Sequence, residues 1–227
     1  MKVFEYPARA DWKKLLERPY TNNAAVIESV KKIIDDVKLK GDSAVRSFTE
    51  QFNKTVLTSF DVNEEELNGA AYHISEELKA AIVQAKQNIE KFHLSQLKNE
   101  EAVETMPGVT CWRRSVGIQK VGLYIPGGSA PLFSTLLMLG IPAKIAHCKE
   151  IYLFSPADKN GNLHPAILFT AHILGLFKVY KIGGAQAIAA MAYGTESIAK
   201  VDKIFGPGNQ YVTAAKQIVA MEGTAID

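Results

Sequence analysis

The chain has 227 residues, 47% of them hydrophobic and 22% charged, and 26 Lys and Arg set against 24 Asp and Glu leave a formal charge of +2. That length suits one large domain or two small ones, and balanced charge without a basic stripe argues for a small-molecule partner rather than nucleic acid or an anionic membrane. No window approaches the roughly 18 apolar residues of a membrane span, and the opening MKVFEYPARADWKK is too charged for a secretory signal, so a cytoplasmic protein is expected.

Taken in chain order, the first elements read as helices. Val26, Val30, Ile33 or Ile34, and Val37 recur at helical spacing until Gly41 stops the pattern. Asp42 is placed to cap a second helix that carries Val45, Phe48 and Phe52 on one face. A short extended piece follows over 59–62, and Asn63 with Glu64, Glu65 and Glu66 marks another helix start. A long amphipathic helix begins near Ser75, with Leu78, Ile82, Ala85, Ile89 and Phe92 at helical intervals.

Beyond Pro107 the period changes. Strands are expected over 110–114, 121–125, 151–155, 178–182 and 201–205, and helices over 133–147, 165–174, 185–193 and 210–221. Strand and helix in alternation predict parallel βαβ units, with a domain boundary in the 98–122 region. Pro142 is expected to kink or break its helix near 139–141.

Three glycine clusters, YIPGGSAPLFST from Tyr124, KIGGAQA from Lys181 and IFGPGNQ from Ile204, each fall where a strand ends and a helix begins. Ligands of open α/β sheets bind at that carboxyl edge. Gly127 and Gly128 permit close backbone approach, free amides at helix starts favour an anion, and Pro126 and Pro131 stiffen the loop. Tyr124, Gln186 and Asn209 add polar groups at the same edge, which suits a dinucleotide or a related phosphate ligand. Glycines that merely serve tight turns are the competing reading of each loop taken singly. No GxGxxG or GxxxxGK[ST] is present, and the strand over 151–155 ends in Ser155-Pro156 rather than in an acid for a ribose hydroxyl, so the standard Rossmann and P-loop modes are not expected.

Cys111 and Cys148 have neither CxxC spacing nor a nearby His pair and read as small buried hydrophobes, with a nucleophilic thiolate as the alternative. His73, His93, His147, His164 and His172 form no metal-type pairing, and no base or Lewis acid for alcohol oxidation stands out.

The segments VGLYIPGGSAPLFSTLLMLGIPAKIA and GGAQAIAAMAYGTESIAKVDKIFGPGNQYVTAAK, with RSFTEQFNK in the helical half, closely resemble the histidinol dehydrogenase family. The resemblance implies an α/β, aldehyde-dehydrogenase-like architecture: an incomplete Rossmann-type parallel sheet domain plus a partial, helix-rich first domain, in an intertwined homodimer. It divides the chain into an extension over 1–20, the first part of a discontinuous α/β domain over 21–120, and an NAD-side domain over 121–227. It implies oxidation of L-histidinol to L-histidine through histidinal, with Tyr124, Gln186 and Asn209 contacting NAD.

Family members run to roughly twice this length, and the resemblance puts their zinc ligands and acid-base residues beyond Asp227. It therefore assigns no catalytic or metal residue here, and the chain alone is expected to be inactive. A half-built first domain would expose Val26, Val30 and Ile34, and Leu78, Ile82 and Ile89, and so drive association or poor stability. His147 stands where the family often has glycine, which puts that helix end in question. Two other readings remain: a non-catalytic NAD-binding or interaction module derived from the family, and a different aldehyde-dehydrogenase-like oxidoreductase that uses a cysteine.

Overall fold

The computed structural model describes residues 3–17, 24–97, 101–127 and 131–227. Gly128, one of the paired glycines of the first cluster, lies outside them. Helices α1 (Trp12–Leu15), α2 (Ala24–Lys40), α3 (Asp42–Asn53), α4 (Glu64–Gly69) and α5 (Glu76–Leu94) come first, then a hairpin of β1 (Val103–Met106) and β2 (Val109–Cys111). The remainder alternates: β3 (Lys120–Tyr124), α6 (Phe133–Ile145), β4 (Glu150–Phe154), α7 (Pro165–Ile173), β5 (Lys178–Tyr180), α8 (Gly184–Tyr193), β6 (Lys203–Phe205), α9 (Gln210–Met221) and β7 (Ala225–Ile226).

The five strands β3 to β7 form one parallel sheet in the order β5-β4-β3-β6-β7. The expected 59–62 piece lies antiparallel along the free edge of β5, where the Val62 N–H donates to the Val179 carbonyl and the Lys181 N–H to that of Phe60. Because successive strand residues face opposite ways, Val121, Leu123, Ile151, Leu153 and Val179 fill one core, and Tyr124, Tyr152, Phe154, Tyr180 and Ile204 fill the other. Among the described residues no helix is long and apolar enough to cross a membrane.

The helical first half divides between the two faces. Helices α2 and α3 pack against α8 and α9, whereas α4 packs on α7 and α5 on α6, giving three layers. Val30, Ile34 and Ile82 are at most 1% exposed, and Val26, Leu78 and Ile89 are half-buried against the same cores. The expectation that these faces would be bare is thus corrected, because the helices around the parallel sheet supply their partners. The hairpin does stay bare: all seven of its strand residues are exposed.

Several local expectations need adjustment. The strand expected over 110–114 is β2, paired with β1, and the Pro107-Gly108 turn between them places Gly108 at φ 82°. Pro142 does not break α6, which runs through it, with the Ala146 N–H donating to the Pro142 carbonyl at 2.8 Å. Met138, whose carbonyl loses its usual helical donor, belongs to the exposed side of that helix. Asn63 and Ser75 cap their helices as read, Asn63 in a full capping box with Glu66.

Asp42 does not cap α3. Gly41 holds the cap position at φ 53°, and the Asp42 N–H is met from outside by the Glu196 carboxylate at 2.7 Å. The Asp42 carboxylate instead accepts hydrogen bonds from Thr195 at 2.5 Å and from the Ser197 hydroxyl, fastening α3 to the loop after α8. Burial alone would raise this carboxyl, but those hydrogen bonds outweigh it and hold the group below its ordinary range.

The glycine clusters are explained first by close packing. A Cβ on Gly127 would lie 2.5 Å from the Pro156 ring, and one on Gly183 would lie 2.4 Å from it. The loop after β4 is thus wedged between the loops after β3 and β5, and only glycine leaves room for the ring.

Two predictions follow from this local geometry. His147, just past the end of α6, is at φ 58°, where glycine is preferred, so His147→Gly is expected to stabilise the chain by about 0.5–1 kcal/mol in a denaturant melt. Asp42→Asn is expected to cost about 1 kcal/mol at neutral pH, the group being partly solvated. A depressed folded value gives stability that is fully present above the unfolded pKa of about 4 and is lost as pH falls through the folded one. The gap between the melts of the parent and Asp42→Asn should therefore begin to narrow below about pH 4 and close as pH falls through the depressed folded pKa, and a gap that does not narrow on acidification would contradict the assignment.

Candidate functional site

In the sheet, β3 runs on one side to β4 and β5 and on the other to β6 and β7, so the chain reverses its winding between β3 and β6. Ligands of open α/β sheets bind at that reversal, outside the carboxyl ends of the strands. A cleft of about 930 Å³ opens there. Its inner wall is Tyr124, Pro126 and Gly127 after β3, Ser155 to Asp158 after β4, Gly184 at the start of α8, and Asn209 at the start of α9. Glu65 and Glu66 of α4, with His73, form the outer wall.

The structure brings together two of the three residues read from the sequence. Tyr124, 3% exposed, ends β3 with its ring in the core, and its hydroxyl accepts the Gly184 N–H at 3.0 Å. Burial pushes the phenol up, against the opposing pull of that N–H, so it stays protonated and keeps its own hydrogen to donate. Asn209 is exposed at the cleft, but its Oδ1 is committed to the Tyr211 and Val212 N–H groups at 3.0 and 3.1 Å. Only its Nδ2 hydrogens remain for a ligand.

Gln186 does not line the cleft. It is fully buried in the first turn of α8 behind Gly184, and among the described residues neither Oε1 nor Nε2 has a hydrogen-bond partner. Gly184, at φ 74°, lies close over it, since a Cβ there would fall 2.6 Å from Oε1. An unsatisfied buried amide costs about 1–3 kcal/mol, and among the described residues nothing offsets that cost here.

The electrostatics of the cleft were not legible in the sequence. Among its described lining residues there is no Lys or Arg, while Glu65, Glu66 and Asp158 contribute carboxylates. Glu66 is neutralised by Lys181 at 2.5 Å, and Asp158 is tied to the Asn160 and Asn162 N–H groups at 2.8 and 2.9 Å, whereas Glu65 faces the cleft from the first turn of α4. These residues lie far apart in sequence, and only the packing of α4 on α7 brings them to one opening.

His164 and His73 also reach the cleft. His164 caps α7, its Nδ1 accepting the Ala166 N–H at 3.1 Å, which leaves Nε2 to carry the ring proton. Among the described residues no group of three or more His, Cys, Asp or Glu could hold a metal ion. Neither cysteine lines the cleft: Cys111 is exposed on the hairpin, and Cys148 is half-buried after α6, its thiol pushed up by burial. The arrangement can bind a polar ligand through a phenol, a carboxamide and helix starts, and no cysteine thiol reaches it.

Comparison with known proteins bears on what this site belongs to. The profile of the family described as histidinol dehydrogenase matches residues 16–227. The histidinol dehydrogenase of Bacteroides thetaiotaomicron is 58% identical over 227 residues, covering 100% of this chain and 53% of the relative. That of Vibrio cholerae is 48% identical over 228 residues, covering 99% of this chain and 52% of the relative. The crystal structure of histidinol dehydrogenase from Elizabethkingia anophelis matches with a TM-score of 0.93 and 51% identity, over 97% of this chain and 51% of that one. The chain spans about half the length of the curated relatives it matches, and it belongs to the histidinol dehydrogenase family.

Proposed function

We propose that this chain is the cofactor-side part of a histidinol dehydrogenase, and that its cleft takes NAD during the four-electron oxidation of L-histidinol to L-histidine through histidinal. The observation that carries the reading is the amide of Gln186, unpartnered among the described residues, beneath a cleft placed at the winding reversal of a parallel sheet. NAD, when bound, supplies the acceptor for hydride. The chain's own residues bind and orient it: the Tyr124 hydroxyl and the Asn209 Nδ2 donate hydrogen bonds, and the Gln186 amide gains a partner that the described residues do not give it.

Carboxylates around the cleft, with no lining cation among the described residues, favour NAD over NADP. Glu65 and Asp158 would repel a 2′-phosphate, whereas ribose hydroxyls can donate to them. The zinc of the family has no fitting donor set among the described residues, so no step is assigned to it here. Substrate, zinc and acid-base residues are assigned to polypeptide outside this chain, and the working enzyme is read as a cytoplasmic homodimer. Within it, 21–120 would contribute to a discontinuous domain and 121–227 would form the NAD side.

The direct test is titration of the chain with NAD and NADP beside an assay for NADH formation from L-histidinol. Saturable NAD binding, NADP binding weaker by about tenfold, and no turnover are expected. Turnover by this chain alone would overturn the division of labour, and equal affinity for both dinucleotides would remove the role given to the carboxylates.

Gln186→Leu separates binding from folding. Removing an orphaned polar group should raise the melting temperature, while loss of the amide should weaken NAD by about tenfold or more. A variant with the parent's affinity for NAD would remove Gln186 from the site.

A further inference from the structure

The loop between β6 and α9 delivers Asn209 to the cleft, yet what holds that loop lies behind it. Lys216, on the second turn of α9, is only 9% exposed. Its Nζ donates to the Gly206 carbonyl at 3.0 Å and to a carboxylate oxygen of Asp227. The other Asp227 oxygen accepts the Gly206 N–H at 2.9 Å. Both main-chain polar groups of one glycine are therefore taken by the two halves of a single ion pair.

Gly206 is where such a clamp has most effect. Its φ of 127° is open to glycine and disfavoured for other residues, and a Cβ there would lie 2.1 Å from the Tyr124 carbonyl oxygen. Gly206 thus seats the loop directly on the main chain of Tyr124, and three residues later Asn209 caps α9 and reaches the cleft. The Asp227 N–H also donates to the Ile204 carbonyl at 3.2 Å, tying the end of β7 to β6. Neither Lys216 nor Asp227 lines the cleft, so neither would touch a ligand there.

An ion pair whose lysine is buried and whose aspartate is partly open to solvent is a poor device for stability alone, since screening weakens it and apolar side chains of similar volume often do as well. It holds two opposed backbone groups at once, which an apolar pair cannot do. We propose that Lys216 and Asp227 are a positioning pair for the cofactor cleft, fixing Gly206 against Tyr124 and thereby the spacing between the Tyr124 hydroxyl and the Asn209 carboxamide. The assignment rests on the NAD reading above. Burial alone would raise the Asp227 carboxyl, but Lys216 and the Gly206 N–H outweigh it, so the carboxylate stays charged at neutral pH.

The test compares the parent chain with the double variant Lys216→Met/Asp227→Leu and with the milder Asp227→Asn. Three quantities are measured: the thermal melt, the Kd for NAD, and hydrogen exchange at the Gly206 amide. The double variant removes both charges together, so it avoids stranding one of them and should keep a cooperative melt. Its Kd for NAD is expected to rise by about tenfold or more, because small misplacement of binding groups is costly, and exchange at Gly206 should accelerate. A double variant with the parent's melt, Kd and Gly206 protection would overturn the proposal.

Should the double variant fail to fold, Asp227→Asn carries the test. It keeps shape and one acceptor, and a parent-like Kd in that variant would overturn the proposal equally. Should the parent itself fail to bind NAD, the cofactor reading falls, and Gly206 exchange decides the positioning role by itself: faster in the variants supports it, unchanged overturns it.

Discussion

Strand β3 is the constraint on which the rest of the structure depends. It is paired on both sides, to β4 through five residues and to β6 through three, and from Val121 to Tyr124 its residues are buried. A strand covered on both faces must supply apolar or small groups to each. Val121 and Leu123 serve one core and Tyr124 the other, while Gly122 leaves room for Met191, whose sulfur would be 2.5 Å from a Cβ there. Both helical layers are built outward from this strand, and the winding reverses beside it. The polar end of Tyr124 is thereby carried to the one edge where four loops meet.

That placement explains why the carboxyl-edge loops are so constrained in composition. Gly127 and Gly183 accommodate the ring of Pro156, and Gly206 accommodates the carbonyl of Tyr124. Each glycine is therefore explained by the protein's own packing before any ligand is invoked. The tight-turn reading and the ligand reading of the sequence are not rivals here. Close nesting is what forms a firm cleft floor, and a firm floor reduces the ordering cost when a ligand binds.

Much of this was legible in the sequence, and the exceptions have physical causes. The helix starts at Asn63 and Ser75, the helix over 210–221, and the central strands follow from caps and period, which are local signals. Strand β1 lacks a buried face, so no alternation marked it, and β7 is only two residues long. The placement of α2 and α5 on opposite faces of the sheet is a tertiary fact to which helical periodicity is blind. Asp42 looked like a cap because its type and position suited one, yet Gly41 at φ 53° and the distant Glu196 took that role. Tyr124 and Asn209 were visible as polar residues flanking glycine loops, whereas the carboxylates of the outer wall come from a helix about sixty residues earlier in the chain.

Gln186 shows most clearly what a sequence and a structure each contribute. In sequence it is one polar residue in the run GGAQAIAAMA, where a small apolar side chain would pack at least as well. In the structure every residue from Ala185 to Ala192 is buried, and Gln186 alone among them carries side-chain polar atoms that nothing among the described residues satisfies. A chain optimised only for burial would replace it, because the unsatisfied amide opposes folding while contributing no contact that an apolar isostere could not make. Its retention behind Gly184, at the foot of the cleft, is intelligible if the missing partner arrives with a bound ligand. The folding cost is then part of the binding function, since an amide already desolvated gives up little water when its partner comes.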